Sequence, residues 1–355
     1  MRTDSHHQPW LHRYAVFCAA ATIGLIGLGG LVTSKGVGMA VPDWPTTFGY
    51  NMFLFPVSQW VGGIFYEHTH RLYASAVGLL TVGLALWMQL REPRAWVRRL
   101  GWLAVGLVAV QGTLGGLRVS LMKDVIGVFH GALAQAFLIL LALIALFTSR
   151  RWLECGPWAG NLPAGRLART GAVLAGLVFA QLLLGAVMRH QHAGLAVPDF
   201  PLAYGRIYPP TSPEFLQGVN ALRADVRDFH PIRAWHVHVH MVHRLLAFVI
   251  LAGIWLFARS ARRDAAPAVV RRLSALMAVL VAVQVLLGAW TVWSNKAADI
   301  ATLHVVIGAT LLVAAVLAAA WSRRLAAGAL VKESAAVMTM NPVETGRAGV
   351  AASPT

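Results

Sequence analysis

Apolar residues in this chain do not alternate with polar ones at a short period. They fall into eight long runs bounded by charged or turn-forming residues: 14–34, 68–90, 100–117, 125–149, 170–188, 235–258, 273–295 and 300–322. A helix needs about 20 apolar residues to cross a bilayer, so each run is expected to be a transmembrane helix. The first run is long and has no clear small-residue cleavage site, so it is expected to be retained rather than removed as a signal peptide. The second and sixth runs carry a charge near their starts, Arg71 and Arg244. The fold class expected is an all-α integral membrane protein with eight transmembrane helices.

Charge gives these spans a direction. Residues 91–99, 150–169, 259–272 and 323–355, with the N-terminal segment, hold 19 of the 30 Lys and Arg. Short basic loops face the cytoplasm, so both termini are expected there, in a cell membrane, with the long segments 35–67 and 189–234 on the outer side. Composition agrees. Of 355 residues, 57% are hydrophobic and only 12% charged, against about 25% charged in soluble domains, and mean hydropathy is +0.62. This excludes a soluble globule and a disordered chain. The net charge of +16 would raise nucleic acid as a partner in a soluble protein. Here topology accounts for the Arg clusters, lipid is the expected surroundings, and no nucleic-acid motif is present. Two cysteines, Cys18 and Cys155, are too few for a disulfide framework or a Cys-rich metal site.

The chain is also a duplication. The first half reads GGLVTSKGVGMAVPDWP, EHTHRLYASAVGLL, VQGTLGG and GVFHGALAQ; the second reads GAVMRHQHAGLAVPDFP, HMVHRLLAFVIL, VQVLLGA and ATLHVVIGA. His70 to His243 and Gln111 to Gln284 are both offset by 173, His130 to His304 by 174, and Asp43 to Asp199 by 156. The second outer loop is therefore 17 residues longer. Each repeat contributes four spans, so both share one orientation and their pseudo-twofold axis should follow the membrane normal. The expected organisation is a cytoplasmic N-terminus 1–13, a first four-helix bundle 14–149, a cytoplasmic linker 150–169, a second bundle 170–322, and a cytoplasmic tail 323–355, disordered from about 325. Gln-x-x-Leu-Gly recurs at 111, 181 and 284. Helix packing through Gly, with Gln bonding across helices, is its default reading.

Ionisable residues within spans are functional hypotheses. His70 and His130, then His243 and His304, give each bundle two histidines on different helices, at matched depth in the outer third. Three readings stand: hydrogen bonds to neighbouring helices, a proton relay, and bis-His heme ligation. Heme suits the pairing because it needs one axial ligand on each face, whereas zinc normally takes three or four ligands. Arg71, Arg244, Arg118 and Arg189 lie near these levels. They could bind heme propionates, with Arg71 and Arg244 favoured, or snorkel to the interface.

The halves differ at one telling position. Glu67 lies three residues before His70 and shares its helix face, while His240 takes that place before His243. A carboxylate beside a ligand can move protons or stabilise positive charge, which points to chemistry in the first bundle and a permanent cofactor in the second. The plain alternative is an interfacial Glu67–Arg71 ion pair. His236, His240 and His243 share a face, leaving a regulatory metal site open, while His68, His190, His192 and His230 are expected near the outer surface. The two VP-D-[WF]-P segments read as rigid outer turns that could cap each bundle. Asp43 and Asp199 within them are either structural or turned toward solvent or a redox partner.

E-x-x-H-R at 67–71, the later His130, and the repetition of the pattern at 243–244 and 304 together resemble the heme A synthase family of the CtaA type. The likeness covers nearly all of 14–322. It implies an oxidoreductase acting on a CH group: the C8 methyl of heme O becomes a formyl group, with water as the oxygen source, giving heme A for terminal oxidases. Carried onto this chain, it implies His70 and His130 as ligands of the substrate heme, Glu67 as the catalytic carboxylate, and His243 and His304 as ligands of a heme b cofactor. Heme O would arrive from heme O synthase and electrons would leave to an outside acceptor; a homo-oligomer is left open. The chain departs from many bacterial members in having no cysteine pair in either outer loop. A non-catalytic bis-His cytochrome b and a heme or small-molecule transporter are the competing classes.

Overall fold

A computed structural model describes residues 7–155, 164–223 and 230–340. In chain order the elements are α1 (Pro9–Ser34), a two-stranded ribbon of β1 (Thr46–Thr47) and β2 (Tyr50–Asn51), α2 (Gly62–Arg91), α3 (Ala95–Ser120), α4 (Asp124–Thr148), α5 (Arg150–Glu154), α6 (Ala164–His190), α7 (Pro213–Ala221), α8 (Ala234–Arg263), α9 (Ala268–Trp293) and α10 (Ala298–Met340). Eight of these helices are long and apolar enough to cross a membrane, and the chain is a multi-pass membrane protein. Their order matches the eight runs, and most extend beyond them. A helical backbone satisfies its own hydrogen bonds, which is why it continues past the last apolar residue into the interface.

Helix ends follow local chemistry. Glu92 precedes Pro93 and is extended, as the residue before a proline must be, so α2 stops there. Arg94 then pairs with buried Glu92 at 2.6 Å and donates to the Phe147 carbonyl at 2.9 Å, tying the α2–α3 turn to the end of α4. Asp124 lies in the first turn of α4, where a carboxylate meets the positive end of the helix dipole.

One difference from expectation concerns the last long helix. The tail expected to be disordered from about 325 is helical to Met340, as a continuation of α10. Its Ala-rich composition favours helix once the preceding turns have nucleated it. Residues 341–355 lie outside the described part. Within 150–169 lies α5, and α6 begins at Ala164.

The first four long helices pack in a ring, α1 on α2, α2 on α3, α3 on α4, and α4 on α1. The second four do the same, α6 on α8, α8 on α9, α9 on α10, and α10 on α6. Across the junction α1 meets α10, α4 meets α6, and α4 meets α10. Each ring has its own apolar core, one around Leu84, Met88, Leu141 and Ile144, the other around Ile254, Phe257, Met277 and Leu312. Ile26, Leu138 and Ala309 form the shared seam. Large apolar side chains such as Leu79, Leu90, Val249 and Leu286 point outward, as a lipid-facing surface requires.

With no water to squeeze out between helices, small residues set how closely they approach. A Cβ on Gly171 of α6 would stand 3.1 Å from the Ala319 Cα of α10. Gly176, on the same helix, has open space around it. Gly171→Leu should therefore part α6 from α10 and lower stability by about 1–3 kcal/mol, read as a falling thermal midpoint in detergent. Gly176→Leu should leave that midpoint unchanged; equal losses in both would contradict this packing.

Candidate functional site

One end of each bundle is closed by a VP-D-[WF]-P loop, and each loop is organised in the same way. Inside the first, Asp43 accepts from the Thr46 hydroxyl at 2.5 Å and from the N–H groups of Phe48 at 2.8 Å and Gly49 at 2.9 Å. Asp199 accepts from the N–H groups of Tyr204 at 2.6 Å and Gly205 at 2.9 Å. Phe48, Gly49, Tyr204 and Gly205 all have positive φ, and the carboxylate gathers the N–H groups of that turn. Partial burial pushes the Asp43 carboxyl up, but the donors from Gly49, Thr46 and Phe48 outweigh it and hold the group below its ordinary value. Both carboxylates are thus engaged within their own loops.

Each loop is then clamped from below by an arginine. Arg71 donates to the carbonyls of Val41 at 2.7 Å, Asp43 at 2.7 Å and Thr46 at 3.1 Å, and its remaining Nη donor meets Glu67 Oε1 at 2.8 Å. Arg244 donates to the carbonyls of Val197 at 3.3 Å, Asp199 at 2.7 Å and Leu202 at 2.9 Å. The acceptors correspond one for one at the loop offset. The propionate contacts expected of Arg71 and Arg244 are thus not where their Nη groups point. The repeat pairs these two cations in role, but it does not announce that the loop folds back onto them. The aromatic residues pin the loops sideways. Trp44 covers Gly116 of α3 so closely that a side chain there would overlap the ring. Phe200 receives the Trp293 indole N–H on its carbonyl at 3.1 Å.

Below the loops lie the four histidines, in one recurring arrangement. Each imidazole rests edge-on against a glycine of the neighbouring helix. A Cβ on Gly29 would meet His70 Cε1 at 3.0 Å, and one on Gly115 would meet His130 at 3.4 Å. The same distances are 3.5 Å from Gly185 to His243 and 3.3 Å from Gly288 to His304. All four rings are half-buried, and all four Nδ1 atoms are buried without a hydrogen-bond partner. A buried polar atom left unpaired is uncommon and needs an explanation. Two imidazoles from different helices in each ring, each backed by glycine and none paired to protein, fit axial ligation of a heme. Among the described residues no group of three His, Cys, Asp or Glu is placed to hold a metal ion, so the regulatory metal site near 236–243 finds no support.

Glu67 is buried, with Oε1 on Arg71 and Oε2 receiving the Val41 N–H at 2.9 Å. It is the hinge between the first loop and the His70 helix. The Glu67–Arg71 pair read as the plain alternative does form, but it is buried under the loop. The matching position holds buried His240.

The other histidines divide. His68, expected near the outer surface, is fully buried; Thr47 Oγ1 lies 3.2 Å from its Nδ1, and Phe55 and Trp60 flank the ring. The first outer loop folds down as a small aromatic core, which hydrophobicity along the chain does not announce. His236 is buried and accepts the Arg233 N–H at 3.2 Å. His238 meets the Tyr208 hydroxyl at 2.5 Å. His192 stacks on His230, 3.8 Å between centroids. His190 packs over Gly127 of α4. Arg189 reaches across to the Gly30 carbonyl and the Ser34 hydroxyl of α1, linking the two bundles. Arg118 packs on Gly38 and lies 3.4 Å from Asp124, with its Nε buried and unpaired.

A family model described as cytochrome oxidase assembly protein (COX15-CtaA) matches residues 12–317. A curated protein of Novosphingobium aromaticivorans, named heme A synthase, is 28% identical over 89% of this chain and 94% of its own length. One of the same name from Sphingopyxis alaskensis is 28% identical over 88% of this chain and 91% of its own. A third, from Caulobacter vibrioides, is 30% identical over 73% of each.

The clamp is testable in the second half, where Arg206 is exposed within the loop. Arg244→Met removes three carbonyl bonds, each worth about 1 kcal/mol. Trypsin cleavage after Arg206 should then accelerate by at least about tenfold. An unchanged cleavage rate would mean that the loop is held by other contacts.

Proposed function

The chain belongs to the cytochrome oxidase assembly protein family, and from that premise we propose that it acts as a heme A synthase, oxidising the C8 methyl of heme O to a formyl group with oxygen taken from water. The observation that carries this reading is the buried carboxylate of Glu67, one helical turn from His70 and present in only one of two otherwise matched halves.

In this reading heme O is the substrate, bound in the first bundle between His70 and His130. His243 and His304 hold a heme b in the second bundle, and the unpaired imidazoles of that half fit it. When bound, heme b supplies one-electron redox chemistry, with an external acceptor completing the balance. Gly29 and Gly115 leave room for the edges of the first pair of imidazoles, where a side chain would crowd the rings. Glu67 is held by Arg71 on one oxygen and by the Val41 N–H on the other. Each oxygen keeps a further acceptor site, so the carboxylate can take a proton from the attacking water or balance positive charge developing at the substrate carbon. Its two donors fix its position, so little reorganisation is needed at the moment of reaction. The loop it anchors covers the outer end of the bundle and limits the entry of other water.

Arg118 is the cation assigned to a carboxylate of the substrate heme, because its Nε is buried and unpaired beside this bundle. In this reading both termini lie in the cytoplasm and the heme sites lie toward the outer face of the plasma membrane, which the Arg distribution supports. Heme O synthase supplies the substrate.

Glu67→Gln keeps the shape of the side chain and its acceptor for the Val41 N–H. The variant should bind both hemes and form heme A at least about 100-fold more slowly, measured by chromatography of extracted hemes. Heme A at the wild-type yield in this variant would remove Glu67 from the mechanism.

A further inference from the structure

The Gln-x-x-Leu-Gly repeat has a function that its packing reading does not exhaust. Four residues apart on a helix, Gln and Gly share one face, and in two of the three copies the Gln donates to the histidine that the Gly backs. Gln111 Nε2 donates to the His130 carbonyl at 3.1 Å, and Gly115 backs the His130 ring. Gln181 Nε2 donates to the His243 carbonyl at 2.9 Å, and Gly185 backs that ring. Gln284 lies with its Nε2 against Gly308, one turn beyond His304, and Gly288 backs the His304 ring. The fourth histidine breaks the pattern. Gly29 backs His70 in the register of Gly185, but the residue in the register of Gln181 is Leu25. Leu25 is half-buried among apolar neighbours; among the described residues no side chain donates to the carbonyl of His70 or of His304, but His304 still has a Gln in this register and His70 has an alkyl group.

A second observation sorts the same way. The Oε1 atoms of Gln111, Gln181 and Gln284 are buried without partners, as is Nδ1 of each histidine. An imidazole ligating iron through Nε2 keeps a proton on Nδ1 and requires an acceptor to fix its orientation and raise its basicity. The supporting helix carries an unpaired amide oxygen for His130, His243 and His304, and an alkyl group for His70.

We propose that Gln111, Gln181 and Gln284 are positioning residues that lock three of the four axial ligands, and that Leu25 leaves His70 as the releasable one, through which the substrate heme enters and the product heme leaves. The demand is physical. A cofactor site must hold both ligands through every turnover, whereas a substrate site must let one go. Locking differs between the halves at a single residue, on the ligand next to Glu67. This rests on the ligand assignment proposed above.

The test uses the full-length protein purified with its hemes. Carbon monoxide is added to the reduced protein, and heme transfer to apomyoglobin is timed. In the wild type, one heme population should bind carbon monoxide and transfer, and the other should do neither. Leu25→Gln should slow transfer of the labile population by about tenfold, the effect of one added hydrogen bond, and reduce its carbon monoxide binding. Gln181→Leu should do the reverse, making the second heme reactive, and it carries the test alone if Leu25→Gln does not fold. His70→Ala and His243→Ala serve as ligand controls. Reduced spectra unchanged in both controls would overturn the ligand assignment. Altered control spectra, with carbon monoxide binding and transfer unchanged in the folded seat variants, would overturn the proposed lock alone.

Discussion

Backbone that leaves a helix at the edge of a membrane must find partners for its carbonyls, because lipid offers none. Here that requirement is met by two cations rising from helix starts. Arg71 and Arg244 each collect three carbonyls from the loop above. A guanidinium suits this because its rigid fork presents several donors at once, and a buried charge would be costly without such a set. The loop in turn holds Glu67 through the Val41 N–H. Cover, clamp and carboxylate form one hydrogen-bonded unit, and the histidines lie one turn further into the bundle.

Duplication provides two copies of this unit, and the differences between them are few. Glu67 faces His240 across the repeat, Leu25 faces Gln181, and the Trp44–Gly116 pair takes the place of Phe200 and Ala289. The last exchange, Trp with Gly for Phe with Ala, keeps the summed side-chain volume nearly the same. The first two change chemistry at the same histidine: one adds a carboxylate beside it and the other withdraws the support of its helix. Under the proposed function, a binding site for a permanent redox group would become a reaction site by gaining an acid–base residue and loosening one ligand.

Much of this is legible in the amino-acid sequence. The eight spans follow from bilayer thickness, and the four histidines from the constant offset between halves. The Glu67–His240 difference is visible because the repeat aligns around it. Other features depend on where a chain returns after leaving a helix, which local pattern does not encode. Arg71 resembles a snorkelling or anion-binding residue until the loop folds onto it. His68 looks like an interfacial residue until Phe55 and Trp60 close over it. The Gln-x-x-Leu-Gly spacing announces a shared helix face, but which histidine each face meets is set by the order of helices around the rings. The continuation of α10 to Met340 reflects propensity acting past the apolar run that defines the span.

The central claim is that one bundle converts a heme while the other keeps one. The most direct measurement is the identity of the hemes extracted from the purified chain, expressed in a host that makes heme O but lacks its own heme A synthase. Chromatography with mass detection separates heme B, heme O, heme A and a hydroxylated intermediate. Heme B together with heme A or that intermediate is expected. Heme B alone, with heme O present in the host membranes, would contradict the claim.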